Sequence, residues 1–80
     1  MNKNQILDKV ADILVNRVQL KFTPRINDNL KAKLGMDSLD IIEAIMEIES
    51  EFKIRVNDQE YCSVYNVSDL VDLVVSKKNA

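Results

Sequence analysis

Apolar residues recur every three or four positions near the start of the chain, while charged residues occupy the other helical faces. The apolar positions are Ile6, Leu7, Val10, Ala11, Leu14 and Val18. This spacing predicts an amphipathic first helix with one buried face.

The segment between about residues 18 and 36 has a less regular pattern. Ile26, Leu30 and Leu34 recur every four residues, and Thr23-Pro24 resembles the start of a helix. Residues 27–29, Asn-Asp-Asn, favour turns instead. We predict a long ordered loop with one or two helical turns, whose apolar residues dip into the core.

A second helix has the clearest signals in the chain. Asp37 is a good N-cap for a helix that starts at Ser38 and runs to about Phe52, and Gly35 allows a sharp turn before it. Met36 and Ile41 are spaced as a hydrophobic staple.

Two further helices are indicated after residue 52. Asn57-Asp58 can begin a short helix that ends near Cys62, and Asn66 can cap a last helix with Tyr65 and Leu70 as its staple. The buried stripe of the last helix is predicted to contain Val67, Leu70, Val71 and Val74. The predicted fold class is all-α, a small four-helix bundle with three main helices, one short helix and a long loop between helices 1 and 2.

Composition limits what such a chain can do. Its 80 residues, 46% of them hydrophobic, fit a single domain over residues 1–80. A net charge of −2 argues against nucleic acid as a partner, and the absence of histidine with a single cysteine argues against a metal centre or a self-contained enzyme. Without a run of about 20 apolar residues, we expect no membrane insertion and a cytoplasmic monomer.

Charge is distributed unevenly along the chain. Residues 37–52 contain six acidic and no basic residues, which leaves seven acidic residues against all 11 basic ones elsewhere. Such an acidic helix is suited to attracting a basic partner, but a solvated helix face would have the same composition. Both interpretations stay open.

The apolar residues of the second helix form two stripes rather than one. On a helical wheel that starts at Leu39, one stripe lies at about 180 to 240° and the other at about 300 to 360°. The first contains Ile41, Ile45, Ile48 and Phe52, and the second contains Leu39, Ile42 and Met46. The second stripe is either a docking ridge beside acidic residues or a second buried face.

Ser38 lies in the first turn of this helix, where free backbone N–H groups favour a phosphate. A serine at a helix start is more often a good local fit, and no histidine is present to activate it. Position alone is therefore weak evidence for function.

The sequence around Ser38 resembles that of the acyl carrier proteins. The resemblance lies in Leu-Gly-Met-Asp-Ser-Leu-Asp over residues 34–40, followed by Ile-Ile-Glu-Ala-Ile-Met-Glu-Ile-Glu and then Glu51-Phe52, and the flanking helices fit over essentially the whole chain. It implies a non-catalytic phosphoprotein whose Ser38 bears 4′-phosphopantetheine, attached from coenzyme A by a separate phosphopantetheinyl transferase. Acyl groups would be carried as thioesters for fatty-acid or related lipid and polyketide biosynthesis.

The same resemblance implies roles for other residues. Asp37 and Asp40 would flank the attachment point, and Asp37 and Leu39 would belong to the cofactor site. Leu39, Ile42 and Met46 would form an apolar docking stripe. The residues expected to meet basic grooves of acyl transferases, synthases or ligases are Asp40, Ile42, Glu43, Met46, Glu47 and Glu49. The core that can receive an acyl chain would be lined by Ile41, Ala44, Ile45, Ile48, Phe52, Val10, Leu14, Val64, Val67 and Val71.

Several alternatives remain at this point. Lys33 and Ser50 stand where typical fatty-acid carriers have acidic residues, so a specialised pathway competes with general fatty-acid synthesis. A D-alanyl or aminoacyl carrier of the same fold is a second hypothesis, and an unmodified acidic helical adaptor is a third. Cys62 is expected to be a small buried residue in the core.

Overall fold

The computed structural model describes residues 1–79 and contains four helices in that range. Helix α1 spans Lys3–Val18, α2 spans Ser38–Phe52, α3 spans Asp58–Tyr61 and α4 spans Val67–Lys78. Helix α1 packs against both α2 and α4. The predicted all-α fold, with three main helices, one short helix and a long first loop, is confirmed.

Side-chain caps define where the first three helices begin. Asn2 accepts a hydrogen bond from the Gln5 backbone N–H at 2.9 Å at the start of α1. Asp37 accepts one from the Asp40 N–H at 2.8 Å at the start of α2. Asn57 does the same for α3. Each cap satisfies one backbone donor that the first helical turn leaves without a partner.

Helix α4 begins in a different way. Asn66 occupies the predicted cap position, but its side-chain oxygen accepts a hydrogen bond from Asn29 Nδ2 at 3.2 Å. The Asp69 carboxylate instead accepts hydrogen bonds from the Tyr65 and Asn66 N–H groups, each at 2.8 Å. The predicted Tyr65–Leu70 staple is wrong, because Tyr65 is exposed while Leu70 is buried.

The core lies where α1, α2 and α4 face one another. It is apolar throughout the described residues, with no buried polar or charged side chain. All ten residues predicted to line it are buried, and so are Ile6, Ala11, Ile13, Leu30, Leu34, Met36, Leu70 and Val74. Burial of this apolar surface is the main stabilising contribution to the fold.

The long loop between α1 and α2 is held in place by buried side chains and by backbone hydrogen bonds. Leu30 and Leu34 are buried, as predicted, and so is Met36, whereas Ile26 is only partly buried. The backbone from Asn29 to Gly35 forms hydrogen-bonded turns rather than a helix. The Leu30 N–H donates to the Tyr65 carbonyl at 2.9 Å, within a short antiparallel pairing around Asn29 and Asn66. The loop therefore enters α2 from a fixed position.

Candidate functional site

Ser38 is the first residue of α2 and is exposed to solvent. The chain turns just before it at Gly35, whose φ of 71° is in the left-handed region that favours glycine. Met36 is buried between the turn and the helix cap. A buried anchor on one side and a capped helix on the other thus hold the Ser38 hydroxyl at a defined place on the surface.

The two acidic residues around Ser38 form the helix cap. Asp37 accepts a hydrogen bond from the Asp40 N–H at 2.8 Å, and the Asp40 carboxylate accepts one from the Asp37 N–H at 3.0 Å. Neither carboxylate has a basic side chain within ion-pair distance among residues 1–79. Their first contribution is therefore to fix the start of α2.

The Ser38 hydroxyl has one polar side-chain neighbour in the described chain. Lys31 Nζ lies 3.5 Å from Ser38 Oγ, in an exposed contact. No imidazole or carboxylate accepts the hydroxyl proton, so the site lacks the base that a nucleophilic serine requires. The geometry fits a serine that another protein modifies.

Ser38 opens onto a groove between the start of α2, α3 and the first loop. The groove has a volume of about 850 Å³ and is lined by both apolar and polar residues. Its lining residues are Asn29, Lys31, Ser38, Ile41, Ile42, Met46, Glu49, Val56, Asp58, Tyr61, Cys62, Val64 and Tyr65. A flexible chain attached at Ser38 would have this groove beside it.

The second apolar stripe of α2 is exposed. Leu39 is 62% exposed, Ile42 43% and Met46 58%, whereas Ile45 in the first stripe is 1% exposed. The alternative in which α2 is buried on two sides is therefore wrong. Three neighbouring apolar side chains next to Ser38 are typical of a surface that docks against another protein.

The acidic residues predicted to meet partners are in different situations. Glu43 is half-buried and has no basic side chain within ion-pair distance in residues 1–79. Glu47 accepts a hydrogen bond from Arg17 of α1 at 2.7 Å. The acidic face of α2 is thus partly neutralised from within the molecule.

Glu49 lies apart from Glu43 and Glu47, on the wall of the groove. Its carboxylate accepts hydrogen bonds from the Val56 N–H at 2.9 Å and from the Tyr61 hydroxyl at 3.1 Å. Partial burial, together with this hydrogen bond to Glu49, raises the pKa of Tyr61 above its usual value. The structure gives Glu49 a role in joining α2 to α3, and its contact with partners stays a prediction.

Two other observations concern the chemistry of the site. No group of three or more potential ligands that could hold a metal ion occurs among residues 1–79. Cys62 is exposed at the end of α3 and lines the groove, so its predicted burial in the core is wrong. A helix of four residues buries none of its side chains and leaves its C-cap in solvent.

Comparison with known proteins agrees with this geometry. Residues 4–74 match the family model described as "Phosphopantetheine attachment site". The chain belongs to the acyl carrier protein family. It is 37% identical to an acyl carrier protein of Chlorobium phaeobacteroides over 82 residues, covering 96% of this chain and all of that one. It is 34% identical to one from Chloroherpeton thalassium, covering 98% and 99% of the two chains.

A solved structure supports the same family. The crystal structure of an acyl carrier protein from Thermotoga maritima has a TM-score of 0.84 and 30% identity, covering 99% of this chain and 93% of that one. As an acyl carrier protein, the chain uses 4′-phosphopantetheine as its prosthetic group. Among residues 1–79, no helix is long and apolar enough to cross a membrane.

The residues present fit this prosthetic group. The attachment chemistry needs an accessible hydroxyl, which Ser38 supplies, and a phosphodiester is favoured by the cation of Lys31 and by the N-terminus of α2. The groove offers apolar surface beside Ser38. When bound, the group supplies the thiol that carries acyl groups as thioesters.

Proposed function

We propose that Ser38 is the attachment point of 4′-phosphopantetheine and that a separate phosphopantetheinyl transferase loads it from coenzyme A. The supporting observation is the exposed hydroxyl at a capped helix start, within the matched residues and without a base of its own. The chain then acts as a non-catalytic carrier domain, and the active sites belong to its partner enzymes. Because coenzyme A is the donor, we place this activity in the cytoplasm.

Intact mass spectrometry tests the attachment site. The protein is incubated with coenzyme A and a broad-specificity phosphopantetheinyl transferase, and we expect a mass gain of one phosphopantetheine. Ser38→Ala should abolish the gain, whereas Ser50→Ala, at another exposed serine of α2, should leave it unchanged. A gain in Ser38→Ala, or none in the wild type, would reject the proposed site.

We further propose that Leu39, Ile42 and Met46 form the apolar part of the docking surface. Glu43 would be its free acidic residue, beside Asp40, whose carboxylate also caps α2. The exposure of the three apolar side chains next to Ser38, and the lack of an ion pair at Glu43 among residues 1–79, support this assignment. Basic grooves of transferases, synthases or ligases would complement the carboxylates, which act mainly on the rate of encounter. Glu47 contributes less while Arg17 is bound to it.

Charge reversal tests the acidic part of this surface. Glu43→Lys should slow loading by the transferase at low salt, with the difference shrinking as salt is added. Asp12→Lys makes the same change of charge at an exposed position of α1 and is the matched control. Equal loading rates for the two variants at low salt would show that Glu43 is merely solvated.

The cargo is proposed to be a fatty-acyl or related lipid intermediate. The groove is largely bordered by apolar residues, including Ile41, Ile42, Met46 and Val64, which suit a hydrocarbon chain better than a charged aminoacyl group. Hydroxylamine cleaves thioesters, so treatment of carrier isolated from its own host would release the cargo for mass spectrometry. Release of alanine hydroxamate instead of fatty-acyl hydroxamates would favour the D-alanyl alternative.

A further inference from the structure

Lys31 is the cationic side chain next to the attachment serine. Its ammonium lies 3.5 Å from Ser38 Oγ, although the two residues belong to different segments, the loop turn and α2. The ammonium is exposed, but the backbone beneath it is firmly placed. Asn29 Oδ1 accepts hydrogen bonds from the Lys31 and Ala32 N–H groups at 3.0 and 2.8 Å, and the neighbouring Leu30 is fully buried.

Among residues 1–79, Lys31 has no carboxylate within ion-pair distance. The ion pairs of residues 1–79 use basic residues of the helices, namely Lys3, Lys9, Arg17 and Lys77. Lys33, two positions further along the loop, lies over the ring of Phe22 with its Nζ 5.3 Å from the ring centroid. Lys31 therefore presents an uncommitted positive charge whose nearest polar side-chain neighbour is the serine hydroxyl.

We propose that Lys31 binds the phosphodiester of the 4′-phosphopantetheine arm and so positions the arm at its root, an inference that rests on the proposed attachment to Ser38. In the loaded protein the phosphorus would be bonded to Ser38 Oγ. The charged phosphate oxygens would lie one bond beyond the phosphorus, within reach of the Lys31 ammonium, which is 3.5 Å from Oγ. Charge-assisted hydrogen bonds between lysine and phosphate are among the stronger polar contacts in proteins.

The surrounding charges give Lys31 a reason to act in this way. Attachment adds a negative phosphodiester next to Asp37 and Asp40, which are committed to the helix cap. Like charges at this distance repel, and the N-terminus of α2 offsets only part of the repulsion. The Lys31 ammonium beside Ser38 offsets more of this repulsion. It would also hold the start of the arm beside the groove, which Lys31 lines as well.

Phosphorus NMR of the loaded protein measures this contact directly. Wild type, Lys31→Gln, Lys31→Arg and Lys33→Gln are each loaded with excess transferase until intact mass shows complete conversion. We expect the phosphodiester resonance of Lys31→Gln to move by more than its linewidth from the wild-type position. The resonance of Lys33→Gln should stay in place, since it removes the same charge from a side chain that lies over Phe22.

Salt and conservative replacement sharpen the readout. Added sodium chloride should move the wild-type resonance toward that of Lys31→Gln, because an exposed ion pair is screened. Lys31→Arg should return the resonance most of the way to the wild-type position. Coincident resonances for wild type and Lys31→Gln at low salt, or equal displacement in Lys33→Gln, would overturn the inference.

The two proposals fail in different ways. If the wild type gains no mass at Ser38, the attachment site is wrong and the role of Lys31 falls with it. The other outcome is a mass gain that depends on Ser38, with the phosphorus resonance at the same position in wild type and Lys31→Gln. In that case the attachment site stands and the phosphate contact is rejected.

Discussion

The two apolar faces of α2 contain similar side chains in opposite environments. Ile45 on the inner face is 1% exposed, while Met46, the next residue, is 58% exposed on the outer face. Helix α1 and the buried residues of the first loop cover the inner face. Within residues 1–79, nothing comparable covers the outer one.

We propose that this difference separates folding from recognition within a single helix. Apolar burial against α1 stabilises the fold, and the exposed stripe contributes little of that free energy. Large apolar side chains exposed to water beside the proposed attachment serine are the kind of surface that a partner protein covers. Equal hydrophobicity on two faces therefore does not imply equal roles.

The sharpest test of this comparison substitutes two adjacent residues. Ile45→Ala should lower the free energy of unfolding by about 2 to 5 kcal/mol, because it opens a cavity in a packed core. Met46→Ala should stay within about 0.5 kcal/mol of wild type, since its side chain is largely in solvent. Urea unfolding followed by circular dichroism measures both values.

The same pair of variants should show the reverse order in docking. Met46→Ala should weaken binding to the transferase, whereas Ile45→Ala, at a temperature where it stays folded, should bind nearly as wild type. A large loss of stability in Met46→Ala would mean that its exposed side chain packs against the fold after all. The division between the two faces would then be wrong.

The N-terminal cap of α2 supports both faces of the helix, and its removal should have the next largest effect on stability. Asp37→Ala should lower the free energy of unfolding by about 1 kcal/mol, because the Asp40 N–H loses its 2.8 Å partner. Asp37→Asn keeps an acceptor at the cap and should retain most of the stability. Thermal unfolding of the two variants tests the cap, and equal losses in both would show that charge, rather than capping, is what Asp37 contributes.

Tyr61 lines the groove, and its pKa can be used to test the contact between α3 and Glu49 of α2. Its pKa is raised first by burial and then by the hydrogen bond to Glu49. The unfolded chain therefore releases this proton at a lower pH than the folded one. The resulting contribution to stability is complete below the unfolded value near 10.0 and is lost as the pH rises above it.

Ultraviolet titration of the phenolate measures this shift. In a Tyr65→Phe background Tyr61 is the sole tyrosine, since the chain contains two. Glu49→Gln removes the neighbouring negative charge, so the pKa of Tyr61 should fall toward 10.0 while burial keeps part of the shift. An unchanged titration curve in Glu49→Gln would mean that burial and the charge of Asp58, rather than Glu49, raise the pKa of Tyr61.

The sequence predicted much of α2 because the signals there are local. The Asp37 cap, the left-handed turn at Gly35 and the two stripes follow from residue type and helical spacing alone. The same spacing showed that Leu39, Ile42 and Met46 do not share the core face. Deciding that this stripe is exposed required the positions of α1 and the first loop.

These local patterns did not predict contacts between residues that are far apart in the sequence. Arg17 and Glu47 are far apart in the sequence, and their pairing depends on how α1 crosses α2. Cys62 was misplaced because cysteine is usually buried, whereas the short α3 buries none of its residues. The approach of Lys31 to Ser38 likewise depends on the fold of the loop, although the sequence places both residues close to the same turn.

The smallest expected effect concerns the acidic side of the outer face. Arg17 of α1 donates to Glu47 at 2.7 Å, so a basic partner has to compete with it for that carboxylate. Arg17→Gln should therefore speed association with a basic partner at low salt by a factor of about two, while changing the free energy of unfolding by less than about 1 kcal/mol, as is usual for an exposed ion pair. Lys9→Gln removes the same charge from α1 and frees Glu51 instead.

Stopped-flow measurement of transferase association compares the two variants with wild type. A greater acceleration in Arg17→Gln would show that Glu47 belongs to the docking surface and that Arg17 masks it. Equal acceleration in both would reflect net charge alone, and the docking surface would then end at Glu43.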